Sequence, residues 1–301
     1  MNQFSTTLSS DQVPLLKRCL ENLDFVCEEK NSVLIAKNQG IRITVYKTNK
    51  VLFQGAETDK WVVKLAAQGF IEKTPLLKSA GLPQGYSGPR IGSDESGKGD
   101  YFGPLVTVAA FVDSESESRL RDIGVRDSKE LSDKAIKVMA ADIKSLVTWK
   151  TVTVGPERYN ELYDKMKNLN KLLGWSHARA LEDVLNVKEC NLAITDQFGD
   201  EKFVRDSLMT KGREINLIQM PRAESDIAVA SASIIAREAY LTGLESLSRE
   251  MGIDDLPKGA SSKVIDKGIE IATKYGFDKL RYVAKLHFRT TIQIRAGVGL
   301  V

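Results

Sequence analysis

Between residues 75 and 89 the chain carries Pro75, Ser79-Ala80-Gly81, Pro83, Gly85, Gly88 and Pro89, and neither helical nor strand periodicity survives such a stretch. The break divides 301 residues into two segments, each long enough to close a core of its own. The reading is a small domain over residues 1–75, a linker over 76–89 and a larger domain over 90–301.

In the first segment, residues 11–23 and 56–68 suit helices, and 33–36, 41–46 and 51–54 suit strands. Ile41, Ile43 and Val45 alternate with Arg42, Thr44 and Tyr46, so one face of the middle strand feeds a core and the other is polar and aromatic. Residues 1–80 hold 11 Lys and Arg against 8 acids, which accounts for the whole formal net charge of +3. So small an excess excludes a polybasic coat, and affinity for a polyanion must come from local patches.

Beyond the break, strands are expected at 90–95, 105–112, 149–154 and 191–195, and helices at 132–147 and 225–249. This alternation argues an α/β sheet with helices laid over it. No stretch is expected to reach the length of a membrane span, and residues 1–10 lack the basic-then-apolar order of a signal peptide. Cys19, Cys27 and Cys190 have no metal-ligand spacing and leave an odd thiol, which fits a reducing cytoplasm.

The chemistry concentrates in Ile91-Gly92-Ser93-Asp94-Glu95-Ser96-Gly97-Lys98-Gly99-Asp100, where two adjacent acids meet a lysine between glycines. Gly92 to Lys98 matches the first seven positions of the nucleotide-triphosphate loop G-x-x-x-x-G-K. The match fails at Gly99, where a hydroxyl should hold magnesium, and Asp94 and Glu95 would repel phosphates from such a loop. As hard oxygen ligands for a divalent cation the acids are well placed, with Gly97-Lys98-Gly99 as a wall for a nucleic-acid backbone. Further acids fall where strands end or a helix begins: Asp196 after 191–195, and Asp226 at the start of 225–249. Crowded carboxylates raise one another's pKa unless cations neutralise them, so a metal site is the natural resolution.

Asp94-Glu95-Ser96-Gly97-Lys98-Gly99-Asp100 followed by Phe102-Gly103-Pro104-Leu105 resembles the opening motif of the type 2 ribonucleases H, and the lysine between the glycines resembles the ribonuclease HIII branch. Similarity continues through Asp127-Ser128-Lys129, residues 170–177, Ile194-Thr195-Asp196, residues 223–237 and Lys285-Leu286-His287-Phe288. Residues 46–55 are similar to the N-terminal domain of that branch, a module likened to half of the TATA-box-binding protein. The resemblance implies a ribonuclease H-like mixed sheet with flanking helices, preceded by a small α+β domain of that kind.

It also implies an endonuclease that cuts the RNA strand of RNA–DNA hybrids with two Mg²⁺ ions, Mn²⁺ being a possible substitute, and leaves 5′-phosphate and 3′-hydroxyl ends. The family's four acids map to Asp94, Glu95, Asp196 and Asp226. Asp94 would bridge both ions, Asp196 would help hold the ion that activates water, and Glu95 with Asp226 would help hold the ion beside the leaving oxygen. Glu224 competes with Asp226 for the fourth place, and Asp226 is preferred because it matches the family spacing ahead of Ala230-Ser231-Ala232-Ser233. Ser96, Gly97, Lys98, Gly99, Ser128 and Lys129 would contact substrate, as would Arg42 and Tyr46 of the first domain. Asp100 and Asp127 are read as structural or outer-shell groups, and His177, His287 and Trp175 as packing residues. The chain is expected to act as a monomer on a hybrid and not at a membrane. Two other readings stay open: incision at single ribonucleotides embedded in duplex DNA, as in the ribonuclease HII branch, and hybrid or DNA binding without catalysis.

Overall fold

Alternating apolar residues in the first segment build an antiparallel sheet of five strands in the order β1-β5-β4-β3-β2: β1 Gln3–Thr7, β2 Val26–Lys30, β3 Val33–Asn38, β4 Ile41–Val45 and β5 Lys50–Gln54. The computed structural model describes residues 3–30, 33–67, 69–70, 88–126 and 131–300, and the chain divides into two units, Met1–Tyr86 and Ser87–Val301. Most of the expected linker lies outside the described residues. In the first unit, helices α1 (Gln12–Glu21) and α2 (Thr58–Ala67) supply Leu16, Leu20, Trp61, Val62 and Leu65 to a core with Ile41, Ile43 and Val45. On the other face Arg42 and Tyr46 are exposed, but Thr44 is buried, contrary to the alternation read above. Its cross-strand neighbours are Ile35 and Leu52, large enough to cover a short side chain between them.

The second unit contains a mixed sheet ordered β10-β9-β6-β7-β8, from β6 (Arg90–Ser96), β7 (Leu105–Val112), β8 (Thr148–Val154), β9 (Leu192–Asp196) and β10 (Asn216–Met220). β6, β7 and β8 pair antiparallel, whereas β9 and β10 run parallel to β6. Helix α3 (Ser114–Asp122) follows β7, α4 (Asp133–Leu146) leads to β8, and α5 (Pro156–Met166) and α6 (Leu169–Leu185) lead to β9. A short α7 (Lys202–Arg205) precedes β10. The long α8 (Ile227–Met251) follows it, and α9 (Ser262–Tyr275), α10 (Leu280–Val283) and α11 (Arg289–Gly297) end the chain.

α8 packs on β6 and β7 on one side, and α6 packs on the other. β6 comes very close to α8 at Gly92, where a Cβ would lie 2.1 Å from the Ala228 carbonyl carbon and 2.2 Å from the Val229 nitrogen. The small residues Ala228, Ala230, Ala232, Ser233 and Ala236 are buried there. α8 also corrects the expectation about membrane spans, since its 25 residues are long and apolar enough to cross a membrane by length and composition. Most of its apolar side chains are buried against the sheet and α4, as in the core helix of a globular domain.

Candidate active site

Two neighbouring strand residues point to opposite faces of a sheet, and Asp94 and Glu95 near the end of β6 do so. Asp94 accepts a hydrogen bond from Ser233 on α8, whereas Glu95 meets His177 on α6, on the other side. The strand pairing continues unbroken, Asp94 opposite Val108 and Glu95 opposite Thr107. The pairing runs on through Ser96, opposite Val106, so both acids reach one cleft without a bend in the strand. Both line a hollow of about 490 Å³ at the strand end, together with Ser96, Gly97, Lys98, Gly99 and Asp196.

The two acids are held differently. Burial, followed by the charge of Glu95 and, more weakly, that of Asp196, pushes the Asp94 carboxyl well above the usual carboxylate range. Bonds from Ser233 and the Glu95 amide oppose this only partly. Burial also works against a charged Glu95, but His177 and Lys98 outweigh it and hold this carboxyl below its usual range. His177 Nε2 lies 3.0 Å from Glu95 Oε2, and His177 Nδ1 lies 2.7 Å from Ser93 Oγ. If the Ser93 hydroxyl donates to Nδ1, the tautomer is set so that Nε2–H points at the carboxylate. His177 is fully buried and stacks on Phe198 at 5.1 Å, so it is a packing residue that also orients Glu95. Substituting His177 with Phe should lower turnover by about 10- to 100-fold, the range typical of partners that orient metal ligands. Steady-state kinetics run well below the melting transition should show the loss mainly in kcat, with the melting temperature lowered because the buried Ser93 hydroxyl loses its partner.

Asp196 ends β9, one strand from Asp94, and its Oδ1 accepts the Ala223 amide at 3.2 Å. That bond draws in the short turn Ala223–Ser225, and the next residue, Glu224, lines the cleft. Asp226 does not, which corrects the preference drawn from family spacing. Its Oδ2 is 2.6 Å from Nε of the buried Arg90, and its Oδ1 caps α8 by accepting the Ala228 and Val229 amides. With both oxygens engaged and the side chain 7% exposed, Asp226 serves as an anchor. Arg90 in turn pairs with Glu117 of α3 at 2.8 Å.

Among the described residues, no three Asp, Glu, His or Cys side chains close on a single point as a finished cage. Asp94, Glu95, Asp196 and Glu224 instead surround an open cleft, an all-oxygen donor set suited to hard divalent cations that keep part of their water. Burial, with the neighbouring charges of Glu95 and Asp196, makes an ionised Asp94 costly in the absence of a cation, so a divalent ion in the cleft would favour its charged form.

The loop after β6 is shaped for close approach. Gly97 has φ +86°, and a Cβ there would lie 2.1 Å from the Pro104 carbonyl oxygen, so the turn itself requires glycine. At Gly99 nothing lies within 4 Å of the same position, which leaves room beside the backbone. Lys98 lies 3.2 Å from Glu95 and 5.5 Å from the Phe198 ring centre. Behind the loop, buried Lys285 donates to the carbonyls of Asp100 (2.8 Å) and Gly103 (2.7 Å), and Asp100 accepts the Gly259 amide. Asp100 is thus structural. Ser128 and Lys129, with Asp127, lie outside the described residues, and Arg42 and Tyr46 belong to the first unit. Asp133, Ser233 and Arg237 also line the cleft and were not singled out in the sequence. Their one detectable signal is the spacing of Ser233 and Arg237, one helical turn apart on α8.

Residues 91–291 match the family model described as Ribonuclease HII. Full-length relatives are the ribonuclease HIII of Protochlamydia amoebophila, 41% identical over 98% of each chain, and that of Chlamydia felis, 37% identical over 97% of each. The chain belongs to the ribonuclease HIII family. Among solved structures in this family, Bst-RNase HIII in complex with Mn²⁺ superposes with a TM-score of 0.67 at 30% identity, covering 98% of this chain and 99% of that one. Aquifex aeolicus RNase H3 gives 0.56 at 27% identity over 95% of this chain and 100% of that one. Both ribonucleases HIII match across the two units, so the first unit is part of the shared architecture.

Proposed function

We propose that this member of the ribonuclease HIII family is a metal-dependent endonuclease that cuts the RNA strand of RNA–DNA hybrids and leaves 5′-phosphate and 3′-hydroxyl ends. The observation that carries this reading is the meeting of Asp94, Glu95, Asp196 and Glu224 with the Gly97-Lys98-Gly99 loop in one cleft. These four acids would hold the divalent cations, Mg²⁺ with Mn²⁺ as a substitute. When bound, such ions supply a water of lowered pKa and stabilise charge on the phosphate and the leaving oxygen.

The chain's own residues do the rest. His177 and Lys98 keep Glu95 ionised and aimed, Ser233 orients Asp94, and the Ala223 amide fixes Asp196 beside Glu224. Room beside Gly99 lets the backbone reach a ribose, whose 2′-hydroxyl separates RNA from DNA. In the first unit, exposed Arg42 and Tyr46 offer a cation and a ring to the duplex backbone. The double variant Arg42→Glu/Tyr46→Ala should raise KM several-fold with kcat nearly unchanged, because it removes binding common to the ground and transition states.

The deciding assay uses an end-labelled hybrid beside an RNA duplex, a DNA duplex and a DNA duplex with one ribonucleotide. Cutting confined to the RNA of the hybrid, lost with EDTA and restored by Mg²⁺, is the expected pattern. Efficient incision of only the single-ribonucleotide duplex would favour the ribonuclease HII-like reading, and binding without cutting would favour the non-catalytic one.

A further inference from the structure

The acidic cleft has a basic neighbour. A second hollow of about 400 Å³ is lined by Arg121, Arg126, Arg222, Ile227 and Glu224, and Glu224 also lines the cleft, so it borders both. Three arginines face one carboxylate there. Arg121 is braced by Glu117, 2.6 Å from its Nη2 and 3.2 Å from its Nε, yet its side chain remains 64% exposed. Glu117 is itself buried and shared with Arg90, so this bracing comes from the same ion-pair group that holds Asp226. Arg222 is exposed and occupies the left-handed backbone region at φ 56°, ψ 44°, at the entrance to the turn that carries Glu224. Arg126, after α3, is exposed and lines the same hollow.

We propose that this hollow is a second phosphate subsite, which takes a backbone phosphodiester of the substrate flanking the one in the acidic cleft. The inference rests on the hybrid-cleaving reading and deepens it. A strand lying across four carboxylates meets repulsion wherever cations do not intervene, and a polyanion needs positive charge immediately beyond the acids to stay in register. Guanidinium forks match phosphate oxygens in pairs, and arginine stays charged at every working pH. Because Glu224 borders both hollows, the subsite would fix the register of the strand relative to the reacting phosphate, beyond adding affinity.

The test is a scan of hybrids that each carry one neutral methylphosphonate linkage, stepped along both strands on either side of the cut. Wild type is compared with Arg222→Asn, which keeps a residue tolerant of the left-handed backbone, and with Arg126→Ala, which lies outside the turn. Wild type should lose about tenfold in kcat/KM at one register near the cut. Arg222→Asn should lose a similar factor on the unmodified hybrid and nothing further at that register. Its log–log salt slope for hybrid binding should be shallower by about one unit, and Mn²⁺ binding by the protein alone should be unchanged. Losses that multiply at every linkage, or variants that match wild type in rate and salt slope, overturn the subsite. A wild type that binds hybrid without cutting it would remove the functional reading, and the salt slopes would still decide for or against the subsite.

Discussion

Asp94→Asn abolishes hybrid cleavage, with kcat down by a factor on the order of 10²–10³ or more, while hybrid binding persists. The carboxylate lies between Ser233 and the Glu95 amide, near enough to Glu95 and Asp196 for their charges to raise its pKa. An aspartate whose folded pKa lies above its unfolded value destabilises the fold progressively as pH rises past the unfolded value and through the folded one. At neutral pH without cations, ionised Asp94 therefore costs stability, and asparagine removes that cost. The variant should melt at or above the wild-type temperature in EDTA and should lose the gain that Mg²⁺ gives the wild type. Thermal unfolding with and without Mg²⁺, run beside the cleavage assay, checks both parts. Near-normal turnover would refute the assignment of Asp94, and a large fall in melting temperature in EDTA would refute the electrostatic account.

Asp226→Ala and Glu224→Gln are expected to fail in opposite ways. Removing Asp226 leaves Arg90 buried with one partner fewer and strips the cap from α8. Breaking a buried ion pair costs roughly 3–5 kcal/mol, and loss of a helix cap adds about 1 kcal/mol. For a unit of this size the melting temperature should fall by about 10 °C or more. Glu224→Gln keeps shape and melting temperature but removes a charge from the cleft, so turnover should collapse in a fully folded protein. Circular dichroism melts and kcat measured well below the transition separate the two. An unshifted melt for Asp226→Ala, with turnover lost, would return the fourth acid to Asp226.

That reversal shows where reading the chain alone reaches its limit. Asp226 fits a spacing pattern, but its partner Arg90 stands 136 positions away, and no local pattern shows that a buried guanidinium will claim it. Asp94, Glu95 and Asp196 were legible because strand ends deliver residues to a crevice wherever the neighbouring strands happen to lie. The edge strands β1 (QFSTT) and β2 (VCEEK) escaped notice because their polar residues blur the alternation that marks half-buried strands. His177 was read correctly as buried, but its second task depends on Glu95 and Ser93 arriving from β6, which helix periodicity cannot show. Ser233 stands out in the sequence only as part of the run Ala230-Ser231-Ala232-Ser233, because a small residue on a packed helix gives no sign whether its hydroxyl is used.

Lys285 ties the start of the second unit to its end. The glycine loop after β6 is stitched from behind by the Lys285 ammonium, by the Lys285 amide on the Tyr101 carbonyl, by the Gly103 amide on the Val283 carbonyl and by the Tyr101 amide on the Gly259 carbonyl. A chain growing on a ribosome presents Asp94 and Glu95 early, yet the groups that shape the loop beside them are made almost two hundred residues later. An unfinished polypeptide therefore carries the acids without the frame. The cleft wall beside Asp94 and Glu95 is expected to take its final shape only once the C-terminal helices have been made.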